Sequence, residues 1–198
     1  MTKGCQTAGG LAALLLVGLI VSCGPSEAPV PPPRPIPDDS LLEPPETPEP
    51  PQLTTAALNT VEELRSIATR GMLRPLSRRA EREPDFTSNF GGDRHFAHWD
   101  LMRRIGVDPN AKLLEVLDEP HAAAQVGDEV WFIWPDLAAL KPDELLPEKL
   151  SFRDRARLLT LVGEEGVQAV RDGKGYPGFR TAISEDGQWL YFVHEPTQ

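Results

Sequence analysis

Apolar and polar positions divide the chain into three regimes. Residues 11–21 form one uninterrupted apolar run, Leu-Ala-Ala-Leu-Leu-Leu-Val-Gly-Leu-Ile-Val. Residues 25–53 show no periodicity of either kind. From residue 54 apolar positions recur at helical spacing, and two later stretches are rich in β-branched and aromatic residues. Thr60-Val61-Glu62-Glu63 offers a capping box ahead of Leu64, Ile67 and Ala68, which predicts a first helix near 55–70. A short second helix is expected from about Pro75 to Arg82. Asp93 stands where it can cap a third helix, on which His95, His98, Trp99, Leu101, Met102 and Ile105 spread over one broad face. Asp108-Pro109 opens a fourth, since proline suits the first helical position.

Gln125-Val126-Gly127-Asp128-Glu129 reads as a turn into a strand, Val130-Trp131-Phe132-Ile133-Trp134, and Pro135 ends it. Asp136 to Leu140 has room for one helical turn. Ser151 caps a further helix, with Asp154 at the box position and Phe152, Ala156, Leu159 and Val162 on one stripe. Gly163 interrupts it, and a short helix with Val167 and Val170 runs to Gly173. Two β-prone runs, 179–183 and 189–193, flank a turn containing Asp186-Gly187, a strong hairpin signal. A lone hairpin is marginal in water, so the 130–134 strand is expected to pair with it. The fold class is therefore α+β: a small antiparallel sheet of about three strands packed with several helices.

The 11–21 run is too short to span a bilayer. At about 1.5 Å per residue its helix reaches ~16 Å, half of a hydrocarbon core. It fits the apolar region of a signal peptide. Ile20-Val21-Ser22-Cys23-Gly24, which overlaps its end, resembles the lipobox of bacterial lipoproteins. That resemblance covers residues 1–24 only. It implies that residues 1–22 are removed and that Cys23, carrying acyl chains, becomes the mature N-terminus. Several acyl chains at about 0.8 kcal/mol per buried CH₂ give stable anchoring. The bilayer is then a partner through Cys23. Gly24, in the place where an Asp favours retention in the inner membrane, implies the periplasmic face of an outer membrane.

Composition sharpens the division. Twelve of the 21 prolines lie in residues 25–53, with six acidic residues against one arginine. Proline removes amide donors and fixes φ, so an extended spacer is expected there. The domain plan is signal (1–22), lipidated cysteine and acidic proline-rich linker (23–53), and one globular domain (54–198). The domain carries 18 basic and 24 acidic residues. Such an acidic balance argues against nucleic-acid binding, which depends on phosphate neutralisation. Cys5 and Cys23 are the only cysteines, so the domain has no disulfide, thiol nucleophile or thiolate-bound metal.

Candidate chemistry is sparse. Asp93, His95 and His98 have a spacing at which both imidazoles can approach one metal, but no HExxH-type motif accompanies them. Satisfied, partly buried histidines are the favoured reading, so no metal or other cofactor is expected. The Gly173-Lys174-Gly175-Tyr176-Pro177-Gly178 loop makes Lys174 and Tyr176, with Trp189 on the adjoining hairpin, a candidate ligand or partner surface. Its spacing is not that of a phosphate loop. The strand aromatics are read mainly as core, and the run Arg65, Arg70, Arg74, Arg78, Arg79, Arg82 as a salt-bridged face with its interleaved glutamates. Ser66, Ser77, Ser88, Ser151 and Ser184 sit in no GxSxG or SxxK context. These features point to an anchored accessory or interaction domain whose partner is an envelope protein or a cell-wall polymer. The alternative is an envelope enzyme using His95, His98 and nearby carboxylates.

Overall fold

The computed structural model describes residues 51–89 and 94–194. Asp93, the anticipated cap of the third helix, lies outside them, as do Cys23 and the linker up to residue 50. Four helices come first: α1 (Thr55–Thr69), α2 (Leu73–Ala80), α3 (His95–Arg104) and α4 (Pro109–Leu117). Then follow β1 (Ala122–Val126), β2 (Glu129–Trp134), a 3-10 turn (Asp136–Ala139), α5 (Phe152–Arg171), β3 (Phe179–Ser184) and β4 (Trp189–His194). The strands make one antiparallel meander in chain order, β1-β2-β3-β4. The class is α+β, with one strand more than expected. The additional strand is β1, joined to β2 through Gly127-Asp128 and paired from Ala122↔Ile133 to Val126↔Glu129.

Strand alternation sorts the aromatics. Val130, Phe132, Trp134, Phe179, Ile183, Trp189 and Phe192 point into the main core beneath α1–α4. Trp131 and Tyr191 lie on the opposite face, ring edge to ring face at 6.3 Å. In the core, Trp189 stacks near Trp99 (6.2 Å) and Phe86 (4.3 Å). Its indole N–H donates to Thr181 Oγ1 at 2.8 Å, and that hydroxyl donates onward to the Tyr191 carbonyl at 2.7 Å. The two bonds satisfy buried polar atoms that would otherwise each cost about 1–3 kcal/mol. Across the far edge of β4, Thr87 forms a parallel bridge, donating to Leu190 O and accepting from the Phe192 N–H. The opposite edge belongs to β1, with no described strand beyond it.

The helix starts follow capping chemistry, with one exchange of roles. Thr54, rather than Thr60, caps α1: its Oγ1 accepts from Ala57 N at 3.1 Å and donates to Glu185 O at 2.6 Å. Thr60 instead faces inward and donates to Gly187 O at 2.7 Å. Both threonines thus clasp the β3–β4 turn onto α1. On α3 only Trp99 and Met102 are buried, while Leu101 and Ile105 of the anticipated face are exposed. Asp108 caps α4 by accepting from Asn110 N at 3.2 Å.

The 44 residues between β2 and β3, numbers 135–178, build a second apolar cluster from Leu137, Leu145, Leu158, Val170 and Tyr176. One cation ties this excursion back to the sheet. Arg157 on α5 donates to Glu119 Oε2 (2.7 and 2.9 Å), Asp136 Oδ1 (2.6 Å) and Asp154 Oδ1 (2.9 Å). Glu119 precedes β1 and Asp136 follows β2, so three segments meet at one planar, multidentate donor.

The β3–β4 turn provides a stringent check on the clasp. Gly187 has φ +84°, and a Cβ there would meet Ala56 O at 2.8 Å. Gly187→Ala is expected to lower unfolding free energy in urea by about 2–4 kcal/mol, through backbone strain and displacement of α1.

Candidate functional site

The four described histidines are engaged separately. His95 Nδ1 and Ser88 Oγ share a 2.7 Å hydrogen bond, and the ring meets Phe86 edge-on at 4.9 Å. His121 packs by Trp134 at 5.0 Å, and its Nε2 contacts Pro51 O at 2.6 Å. A carbonyl only accepts, so that nitrogen carries the proton. His194 stacks on Phe179 at 4.3 Å. Desolvation holds its pKa below the ordinary value, followed by the charges of Arg180, His98 and Lys112. The charge on His98 opposes that on His194, while His95 turns to Ser88. Among the described residues, no three His, Cys, Asp or Glu side chains gather as a metal-holding group.

The loop candidates separate as well. Tyr176 is only 5% exposed and belongs to the second apolar cluster. Burial pushes its hydroxyl pKa up, with Glu119 adding to the rise. Trp189 is fully buried. Neither presents a face to a partner, because each supplies apolar area that its cluster needs. Lys174 alone of the three is exposed. The arginine run is largely spent on glutamates and backbone. Buried Arg79 binds Glu63 (2.8 Å) and Glu83 (2.6 Å), linking α1 to α2, and Arg82 reaches Glu63 at 3.3 Å. Arg65 pairs with Asp118, and Arg74 lies 5.5 Å over the Phe96 ring.

What remains unsatisfied is a surface on α5. Ser151 caps this helix as its sequence indicates, its Oγ accepting from Asp154 N at 3.1 Å. At Gly163 the backbone adopts φ 68°, ψ −179°, a region that glycine alone visits readily. The helix therefore breaks into two arms that fold back. Arg171, at the end of the second arm, pairs at 3.1 Å with Glu148, just ahead of the first. Leu158 from one arm and Val170 from the other enter the second apolar cluster. Between the arms, on their outer side, runs a groove of about 800 Å³. Phe152, Ala156, Leu159 and Val167 form its apolar lining; Arg155, Glu164, Glu165 and Gln168 stand along it.

The predicted stripe of Phe152, Ala156 and Leu159 thus exists but faces solvent. Phe152 is 88% exposed and Leu159 48%, while Val162, from the same stripe, packs on the second cluster. Clustered apolar side chains on a concave surface are the usual mark of an interaction site. No family model, curated protein or solved structure matches the chain.

His95 yields a pH prediction. Burial lowers its pKa, against an opposing pull from Glu81. The unfolded chain therefore binds more protons just below pH ~6.5, and stability rises with pH through that window. Stability is complete above the unfolded pKa and falls as pH drops toward the folded one. His95→Asn is expected to flatten the dependence of the urea midpoint on pH between about 5 and 7. His194, whose shift has the same sign, contributes to the slope that remains.

Proposed function

We propose that the protein is a lipid-anchored interaction module of a bacterial cell envelope, tethered through Cys23 and docking its partner in the α5 groove. The observation that carries the reading is the groove itself. It places an aromatic and two aliphatic side chains in water on an element whose opposite side already has a core. The lipobox-like Ile20-Val21-Ser22-Cys23-Gly24 supports the anchor, and the acidic, proline-rich residues 24–53 support a spacer that holds the domain off the bilayer. No described helix is long and apolar enough to cross a membrane, which is compatible with an acyl anchor. Gly24 favours the periplasmic face of an outer membrane.

Two measurements test this. Cys23→Ser is expected to shift the chain from the membrane fraction to the soluble fraction, while the N-terminus of the unaltered protein shows an acylated cysteine by mass spectrometry. A photo-crosslinking residue in place of Phe152 is expected to give a discrete adduct in intact cells, and one in place of exposed Glu62 on α1 none. An unmodified Cys23 in the native protein would refute the anchor, and equal labelling from both positions would refute the docking face.

A second reading, an envelope hydrolase, draws on the Ser88–His95 pair. A neutral imidazole 2.7 Å from a hydroxyl has the geometry of a base and a nucleophile. Against it, Ser88 is almost fully buried, and Asn89 Nδ2 already donates to its oxygen at 3.2 Å. The pair is read as a pin joining the 85–89 loop to the start of α3. A serine-directed fluorophosphonate is expected to leave Ser88 unlabelled. Stoichiometric labelling, lost on His95→Asn, would favour the hydrolase.

A further inference from the structure

We infer that the occupant of the α5 groove is the same groove of a second copy, so that the anchored protein is a two-fold symmetric dimer. The inference rests on the reading of this groove as a docking surface and adds the identity of what docks there.

The groove contains both a projection and a recess. Phe152 projects at the end away from the Gly163 elbow, and Ala156, Leu159 and Val167 line the recess leading toward that elbow. A patch that carries both can fill itself when turned by a half rotation, the condition for an isologous contact. Phe152 of each copy then lies toward Leu159 of the partner subunit.

Charge runs along the groove in the same sense. Arg155 lines the groove on the first arm close to Phe152, with Arg153 beside it in the chain but outside the lining, and Glu164 and Glu165 directly follow the elbow. Arg153, Glu164 and Glu165 take part in no ion pair among the described residues, whereas Arg171 is held by Glu148. Arg155 spends its Nε on the Pro147 carbonyl at 2.8 Å, which fixes its guanidinium at the rim. The surface is therefore basic at one end and acidic at the other, with apolar side chains between.

That order selects among occupants. An anionic bilayer or an acidic peptide would meet Glu164 and Glu165, and a basic peptide would meet Arg153 and Arg155; each loses at one end what it gains at the other. The fitting ligand has both signs in reversed order around an apolar centre. A second copy related by a two-fold axis through the middle of the groove presents that order by construction. Like-charged ends meet only if the copies pack parallel, so the charges also fix the antiparallel orientation.

The test uses the full-length lipidated chain in detergent, with the protein mass of each complex measured by size-exclusion chromatography with light scattering. The unaltered chain is expected to contain two copies. Phe152→Asp, at a position with little folded-state packing to lose, is expected to keep a folded chain with cooperative unfolding and to weaken dimerisation by about 30-fold or more. Arg155→Glu is expected to weaken it as well. The combined reversal Arg155→Glu with Glu164→Arg and Glu165→Arg is expected to restore it, a rescue that association through acyl chains or a micelle would not give. A monomeric unaltered chain overturns the dimer, as does a Phe152→Asp chain that still pairs. A folded triple reversal that stays monomeric overturns it too. If the chain is monomeric but Phe152 still crosslinks to another envelope protein or to lipid, the second copy is wrong and the docking face stands; a monomer with no adduct removes both.

Discussion

Arg157 is the interaction on which the arrangement of the domain depends. The excursion between β2 and β3 builds its own apolar cluster, and what holds it in register with the sheet is one guanidinium shared by Glu119, Asp136 and Asp154. The three acids come from before β1, after β2 and within α5, so loss of the cation would leave like charges facing each other at a partly buried junction. Removing one partner from such a cluster costs more than the pairing itself contributes, because the remaining charges stay desolvated. The direction of the Arg157 pKa, raised by its acidic partners against desolvation, agrees with a cation held firmly in its charged state. The groove on α5 is thus fixed to a rigid base by polar contacts on its inner side, while its outer side remains apolar.

Local signals in the sequence carry much of this fold. Ser151 with Asp154, Asp108 with Pro109, Gly163, and the turn around Asp186-Gly187 each act through neighbouring backbone, so each is legible without tertiary information. β1 is not, because Ala122-Ala123-Ala124 has low β-propensity and becomes a strand only by pairing with β2. Thr60 shows a related limit. Its spacing to Glu63 satisfies a capping box, yet the cap falls on Thr54, and Thr60 is drawn inward by the Gly187 carbonyl.

The candidate surface was half legible. The stripe of Phe152, Ala156 and Leu159 is plain in the sequence, but α5 carries a second apolar set in Leu158 and Leu161. Periodicity says that a helix has an apolar side and not which of two sides meets the core. Here Leu158 and Leu161 took the interior and Leu159 was left outside. The Tyr176 and Trp189 positions failed as surface candidates for the converse reason. An aromatic beside glycines reads as a loop tip, whereas both side chains turned inward, Tyr176 into the second cluster and Trp189 among Phe86, Trp99 and Phe192.

The sheet's two margins have unequal fates. Thr87 occupies the outward hydrogen-bonding groups of β4 at Leu190 and Phe192, whereas the short alanine-rich margin at β1 meets no further strand among the described residues. Open-ended fibre growth by strand pairing needs two free margins on every copy. With β4 stoppered, the single pairing left is β1 against β1, and that union consumes the margin it uses. Thr87, one threonine from a loop, thereby removes one of the two margins that strand-by-strand growth along the sheet would use.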